Sequence, residues 1–296
     1  MKKGLVSCVI PTYKRSDTLI RAIESVLNQT YKDLEVLIVD DNEPNDQNSL
    51  IVQQRLKDVT DFRIRYIQQE KHINGAAARN VGIKAAKGEF IAFLDDDDEW
   101  LPTKIEKQVS YLNTYLGIDG VTTLYTYYFD NEPFRKCPEY STKNLHKKVL
   151  GRTVAVCTPT ILLRKTALDE AGYFDESLRR HQDLQLLLDF LVEHKIELIP
   201  EYLVIINTDL ADNRGTADTV VEIKSNFFKV AKRHFECYDK KNQRDLYAAH
   251  YFEVILVALR QKRIGIVINY LIKIGFNIQA YINLYQRYRG RKHNKK

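Results

Sequence analysis

No apolar run in this chain approaches the roughly 20 residues needed to span a bilayer. The longest candidates, residues 254–259 and 264–268, are parted by Arg260, Lys262 and Arg263. The opening apolar run, residues 5–11, carries Ser7 and is too short for the core of a signal peptide. Cysteine is scarce: Cys8, Cys137, Cys157 and Cys237 show no CxxC spacing and no nearby histidine pair. That excludes a zinc or redox motif and a disulfide scaffold, and it fits reduced thiols in a cytoplasmic protein. Internal repeats and low-complexity linkers are also missing. What remains is 296 residues, 44% apolar and 28% charged, which is the composition of a packed, folded chain. The net charge of +6 belongs to one end. The last twelve residues hold Arg287, Arg289, Arg291, Lys292, Lys295 and Lys296 and no acid, so the other 284 are formally neutral.

The first hundred residues alternate between short apolar runs and helical patterns. Residues 5–11, 34–40, 64–68 and 90–94 read as strands. Ser16 is placed to cap a helix with Leu19, Ile20, Ile23, Val26 and Leu27 on one face. Residues 75–87 are alanine-rich and helical, and Gly88 stops them. Such alternation implies βαβ units, a mostly parallel sheet and helices on both faces. Ligands in these sheets bind beyond the carboxyl ends of the strands. Three places are singled out: residues 11–15, 40–42 and 95–99. Farther on, residues 103–116, 165–171 and 182–194 read as helices. Residues 121–129, 160–163 and 198–206 read as strands, the last broken by Pro200. Residues 207–219 form a polar loop. Residues 220–238, 242–261 and 264–288 then form a helical extension.

The strongest chemical signal is Asp95-Asp96-Asp97-Asp98-Glu99-Trp100, directly after an apolar strand. Five adjacent acids repel one another, and the repulsion is relieved by a cation. Oxygen ligands of this kind suit Mg²⁺ or Mn²⁺, which leave room for phosphate oxygens. The plainer reading is a solvated acidic turn. A calcium loop is disfavoured because Trp100 stands where its glycine belongs. Asp40-Asp41-Asn42 and Pro11-Thr12-Tyr13 are weaker signals on their own. The first is equally a turn, and the second offers a ring on which a base can stack.

Together, residues 6–41 (VSCVIPTYKRSDTLIRAIESVLNQTYKDLEVLIVDD) and 74–100 (NGAAARNVGIKAAKGEFIAFLDDDDEW) resemble the nucleotide-sugar half of a family 2 glycosyltransferase with the GT-A fold. The likeness is close over about the first hundred residues and looser to about residue 210. It implies a GT-A domain over 1–220, with a nucleotide-sugar half (1–100) and an acceptor half (101–220). A helical basic extension then occupies 221–296. It implies that Pro11 and Tyr13, with Thr12 and Arg15 in the same segment, hold the nucleobase. By the same likeness Asp41, with Asp40 beside it, reads uracil, and Asn74, Arg79 and Asn80 support the nucleotide. Asp95-Asp96-Asp97 matches the DXD motif, with Asp97 the ligand of Mn²⁺ or Mg²⁺, Asp95 a donor-sugar contact and Asp96 a ribose contact. Asp98 is supporting.

Residues 172–190 (GYFDESLRRHQDLQLLLDF) resemble the family's acceptor-side segment, in which Asp183 matches the catalytic base. Read alone, Asp183 is an acid that favours a helix N-terminus. The resemblance implies an inverting transfer of a hexose from a UDP-sugar to a hydroxyl of a glycan acceptor, either a lipid-linked precursor or a protein glycan. Tyr125, Tyr127, Tyr128 and Tyr140 are either acceptor-site rings or half-buried strand residues. The polar loop is a candidate lid. The basic C-terminus is either a solvated face or a patch for anionic lipid on the inner face of the cell membrane. The stripe Ile264, Ile268, Leu271, Ile272 and Phe276 is expected to pack on the body or to join copies into a homo-oligomer. A nucleic-acid partner is not expected, because no recognition motif accompanies the tail. Two other functions compete. A sugar nucleotidyltransferase needs a Gly-x-Gly-x-Arg loop after the first strand, and residues 11–15 have none. A non-catalytic scaffold is disfavoured by the presence of Asp97 and Asp183.

Overall fold

The computed structural model describes residues 1–208, 215–275 and 281. In chain order the elements are β1 (Lys2–Thr12), α1 (Ser16–Leu27), β2 (Leu34–Asp40), α2 (Gln47–Leu56), β3 (Ile64–Gln68), α3 (Gly75–Ala85), β4 (Gly88–Phe93) and β5 (Glu99–Trp100). Then come α4 (Lys104–Thr114), β6 (Gly120–Phe129), β7 (Glu132–Lys136), α5 (Leu145–Leu150), β8 (Leu162–Arg164), α6 (Lys165–Ala171), α7 (Gln182–Glu193) and β9 (Ile196–Asn207). The last are α8 (Ala217–Val230), α9 (Lys232–Glu236), α10 (Lys240–Arg260) and α11 (Ile264–Ile274). The residues gather into two compact units. The first takes residues 1–143 and, among the described residues, 156–208. The second takes residues 144–155 and the described residues from 215 onward.

The first unit is one sheet in the order β3-β2-β1-β4-β8-β6-β9-β5, with β7 on β6. β1 is parallel to β2 and β4, and β2 is parallel to β3. Thr12 lies opposite Asp40, and Asp40 opposite Gln68, so three strands finish level at one edge. β8 runs antiparallel to both β4 and β6, while β6 and β9 are again parallel. Val6, Ile10, Val36 and Ile38 on one face, and Val9, Leu37 and Val39 on the other, are all fully buried, as strands covered on both faces require. Helix α1 buries Leu19, Ala22, Ile23 and Val26 along one stripe. Helix α3 sits close to β1 because Gly82 lacks a side chain. A Cβ there would lie 2.3 Å from Val9 Cγ1.

Several expectations change. Ser16 is the first helical residue and not the cap. Arg15 occupies the cap position without a side-chain capping bond, and Lys14 before it takes a left-handed φ of 57°. The Lys14 N–H donates to Asn42 Oδ1 at 3.1 Å, which turns the chain early. Helix α2 is capped by Asp46, which accepts from the Ser49 N–H at 2.7 Å. It escapes the periodicity because only Ser49 and Val52 are buried along it. The strand expected at 160–163 starts at Leu162, after a 3-10 turn over Thr158–Thr160. Strand β9 is not broken by Pro200. Its pairing with β6 jumps from Ile199 to Tyr202, so Pro200 and Glu201 form a bulge where no proline N–H is needed.

In the second unit, Ala217 and Val220 pack with Phe252, Val254 and Ile255 of α10 and with Val267, Tyr270 and Ile274 of α11. The helix expected over 220–238 is two, α8 and α9, because Ala231 has a ψ of 8°. Helix α11 buries Val267, Tyr270 and Ile274 and turns Ile264, Ile268, Leu271 and Ile272 outward. The packing expected of that stripe is therefore not made within the described residues. Phe276, the basic run from Arg287 and residues 209–214 of the expected lid lie outside them. Among the described residues no helix is long and apolar enough to cross a membrane.

Candidate active site

The level strand ends open into a cleft of about 590 Å³ in the first unit. Pro11, Thr12, Tyr13, Arg15, Asp41, Asn74, Arg79, Asp95, Asp96 and Asp97 all line it, joined by His72, Asp98 and Asn207. Ten of the residues singled out from the sequence thus share one wall. Asp40 does not. It is fully buried below, accepting from Asn42 N at 2.9 Å, Asn42 Nδ2 at 2.7 Å and the Tyr66 hydroxyl at 2.7 Å. Alternation along β2 turns Asp40 into the fold, and the next residue reaches the cleft.

Asp41 is held from three sides. Its Oδ1 accepts from the Ile73 N–H at 3.0 Å and from Gln69 Nε2. Its Oδ2 lies 2.9 Å from His72 Nδ1. Burial raises its pKa, opposed by the Ile73 N–H and by His72. The His72 ring stacks on Tyr13, with centroids 4.0 Å apart and planes 11° from parallel. His72 has no signal in its own neighbourhood of sequence. The strand-end rule applied to β3 is what finds it, since β3 ends at Gln68 beside Asp40.

The acid run curls after β4, with the Asp98 N–H donating to the Asp95 carbonyl at 3.1 Å. Asp96 turns back to β1, where its Oδ2 accepts from Thr12 Oγ1 at 2.9 Å. Asp97 is paired with Arg15, and Asp95 with Arg79. The Asn207 N–H donates to Asp98 Oδ1 at 2.9 Å, and Asn207 Nδ2 donates to the Asp97 carbonyl at 2.7 Å. Asn207 ends β9, and the pairing of β9 with β5 brings it here, so only the tertiary fold reveals it. These partners do not neutralise the cluster. Burial and then Asp97 push the Asp96 pKa up to about 7, against Thr12 and Arg15. Burial, with Asp95 and Asp97, also raises Asp98 well above the carboxylate range. The Arg15 guanidinium is disfavoured by burial, but Asp97, Asp96 and Asp95 outweigh that and raise its pKa.

Asn74 caps α3, its Oδ1 accepting from Ala76 N at 2.9 Å and Ala77 N at 3.1 Å, while its Nδ2 donates to the Glu176 carbonyl at 2.8 Å. Asn80 binds Phe174 both ways, with Nδ2 to its carbonyl at 2.9 Å and Oδ1 from its N–H at 3.0 Å. The segment before α7 is thereby tied to α3. Asp183 lies in the first turn of α7, half-buried and outside the cleft lining. Its neighbour Gln182 receives Arg79 Nη1 at 3.4 Å. Burial, then the charge of Asp183, then those of Asp98 and Asp95 raise the Cys157 thiol to about 12. Tyr125 is 3% exposed and belongs to the core, and the Tyr140 hydroxyl donates to Thr122 Oγ1 at 3.4 Å.

Among the described residues, no three His, Cys, Asp or Glu side chains converge as a ready cage for a metal ion. The donors at hand are carboxylate oxygens, several of them costly to ionise, with a guanidinium already against Asp97. That set fits Mg²⁺ or Mn²⁺, which take one or two carboxylates and fill their shell with water and phosphate oxygens.

Comparison with known proteins bears on the same segments. The model of the family described as glycosyl transferase family 2 matches residues 7–172. An uncharacterized glycosyltransferase of Methanocaldococcus jannaschii is 32% identical over 210 residues, covering 69% of this chain and 70% of that one. The Escherichia coli enzyme WfaP, a UDP-Glc:alpha-D-GlcNAc-diphosphoundecaprenol beta-1,3-glucosyltransferase, is 38% identical over 170 residues, covering 57% of this chain and 64% of its own. Among solved structures, S. aureus TarS 1–349 with UDP-GlcNAc superposes with a TM-score of 0.67 at 17% identity, over 93% of this chain and 81% of that one. The mannosyltransferase PcManGT of Pyrobaculum calidifontis, with GDP-Man and Mn²⁺, gives a TM-score of 0.60 at 13% identity, over 91% and 85%. These structural likenesses establish a shared fold with glycosyltransferases of the GT-A type.

Proposed function

The chain belongs to glycosyl transferase family 2 and is a glycosyltransferase, and on that premise we propose that it moves a hexose from a UDP-sugar to a hydroxyl of a lipid-linked glycan, with inversion. The observation that carries this reading is the convergence of Tyr13, Asp41 and the run Asp95–Asp98 on one cleft at the ends of β1, β2 and β4. Tyr13 offers a ring for the base and Asp41 an acceptor for its ring N–H. Asp97 would hold a divalent ion, which when bound would neutralise charge on the departing diphosphate. Arg15 and Arg79 add positive charge on the same wall, and Asp95 and Asp96 face the donor's sugar and ribose. Asp183 then takes the proton of the attacking hydroxyl. The acceptor oxygen bonds to the anomeric carbon, the bond from that carbon to the diphosphate oxygen breaks, and UDP leaves with the electron pair.

The UDP-sugar and the lipid-linked acceptor are supported by WfaP, whose name gives UDP-Glc as donor and a diphosphoundecaprenol-linked sugar as acceptor. Such an acceptor suits an enzyme working at the inner face of a membrane, with the basic C-terminal run near anionic lipid. The test is Asp183→Asn, assayed for transfer and for UDP affinity. Transfer should be abolished and UDP affinity kept. Loss of UDP affinity would show that Asp183 serves the donor site and is not the base.

A further inference from the structure

The base subsite is already filled, by a side chain of the protein itself. His72 Nδ1 lies 2.9 Å from Asp41 Oδ2 and 3.1 Å from the Asp41 carbonyl, so it faces two acceptors and carries the ring proton. The same ring lies flat on Tyr13, 4.0 Å away. A flat ring on Tyr13 with one N–H on the Asp41 carboxylate is the pose that the proposed function asks of uracil. The other carboxylate oxygen is taken by Ile73 N and Gln69, so Oδ2 is where an incoming base N–H must bind. We infer that His72 is an internal stand-in for the nucleobase, and that a nucleotide enters only when this side chain leaves Tyr13. The inference rests on Tyr13 and Asp41 forming the base site.

The exit is open. The His72 side chain is 36% exposed, and its backbone N–H is anchored separately to Glu43 Oε1 at 3.2 Å, so the ring can turn away without moving the chain. Exchange of one stacked, hydrogen-bonded ring for another keeps Asp41 and Tyr13 satisfied in both states. A bare diphosphate need not displace the ring, so only a ligand that carries a base meets this competition. The apparent affinity for a nucleotide is lowered by the fraction of molecules in which the ring is in place.

The test is calorimetry of His72→Ala and the parent protein with UDP and with pyrophosphate, both in Mn²⁺. If the ring occupies the site in about nine molecules of ten, UDP tightens about tenfold in the variant while pyrophosphate is unchanged. A second measurement needs no variant to fold. The His72 ring protons, shifted upfield by Tyr13, should move downfield as UDP is added. Weaker or unchanged UDP binding in His72→Ala, or ring protons that stay upfield under saturating UDP, would overturn the inference. Absence of UDP binding in both proteins would instead sink the nucleotide-site reading beneath it.

Discussion

The two strands that flank β1 both end in acid, and the fold treats the two ends in opposite ways. At the end of β2, Asp40 and Asp41 are met by neutral donors: Asn42, Tyr66, Gln69 and the Ile73 N–H. Beyond β4, Asp95 and Asp97 are met by the guanidiniums of Arg79 and Arg15, and still Asp96 is pushed up to about 7. The first end is a hydrogen-bonding surface that a neutral ring can complete. The second is short of positive charge, which is what a cation would supply under the proposed function. Similar carboxylates are thus set for different ligands by what the adjoining strands and loops bring to them.

The comparison breaks most sharply at Asp97. Lewis-acid stabilisation of a leaving group is worth several kcal/mol, so Asp97→Ala should cut donor turnover about a thousandfold, measured as UDP release. Next comes Asp41→Asn. A hydrogen bond to a charged group contributes about 1.5–3 kcal/mol, so UDP should bind about 10- to 100-fold more weakly by calorimetry, with its metal dependence unchanged. Tyr13→Ala should weaken UDP about fivefold, the low end for a stacked base, because the same change also releases His72.

The smallest effect is on stability. Asp96 titrates higher in the folded protein, about 7, than in an unfolded chain, so its protonated form favours the fold. That contribution is full below the unfolded carboxylate range and is lost as pH rises through about 7. Metal-free protein should therefore melt several degrees lower at pH 8 than at pH 5, and Asp96→Asn should flatten the difference. Scanning calorimetry in EDTA checks this.

Much of the cleft was legible in the sequence because it is made by strand ends, and apolar strands running into acid are visible as such. That pattern directs attention to residues 11–15, 40–42 and 95–99, and the family resemblance is what singles out Tyr13, Asp41 and Asp95–Asp97 among them. Asp40 and Asp41 differ only by the alternation of β2, and adjacency in sequence hides it. His72 lies past the end of an expected strand to which the strand-end rule was not applied, and Asn207 was not legible because it reaches the cleft through the pairing of β9 with β5. Helix α2 was missed because it buries so little, and the bulge at Pro200 because a proline reads as a break when the partner strand is unknown. The role of Asp183 rests on family likeness, since an acid in a helix's first turn has a sufficient local reason to be there.

The central claim is that the cleft takes a nucleoside diphosphate together with a divalent ion at the acid run. Titration of UDP into the protein by calorimetry, first with Mn²⁺ and then with EDTA, tests it directly. Binding in Mn²⁺ that weakens at least about tenfold in EDTA, in line with charge neutralisation by the ion, is the predicted result. Equal binding under both conditions, or none in either, would contradict it.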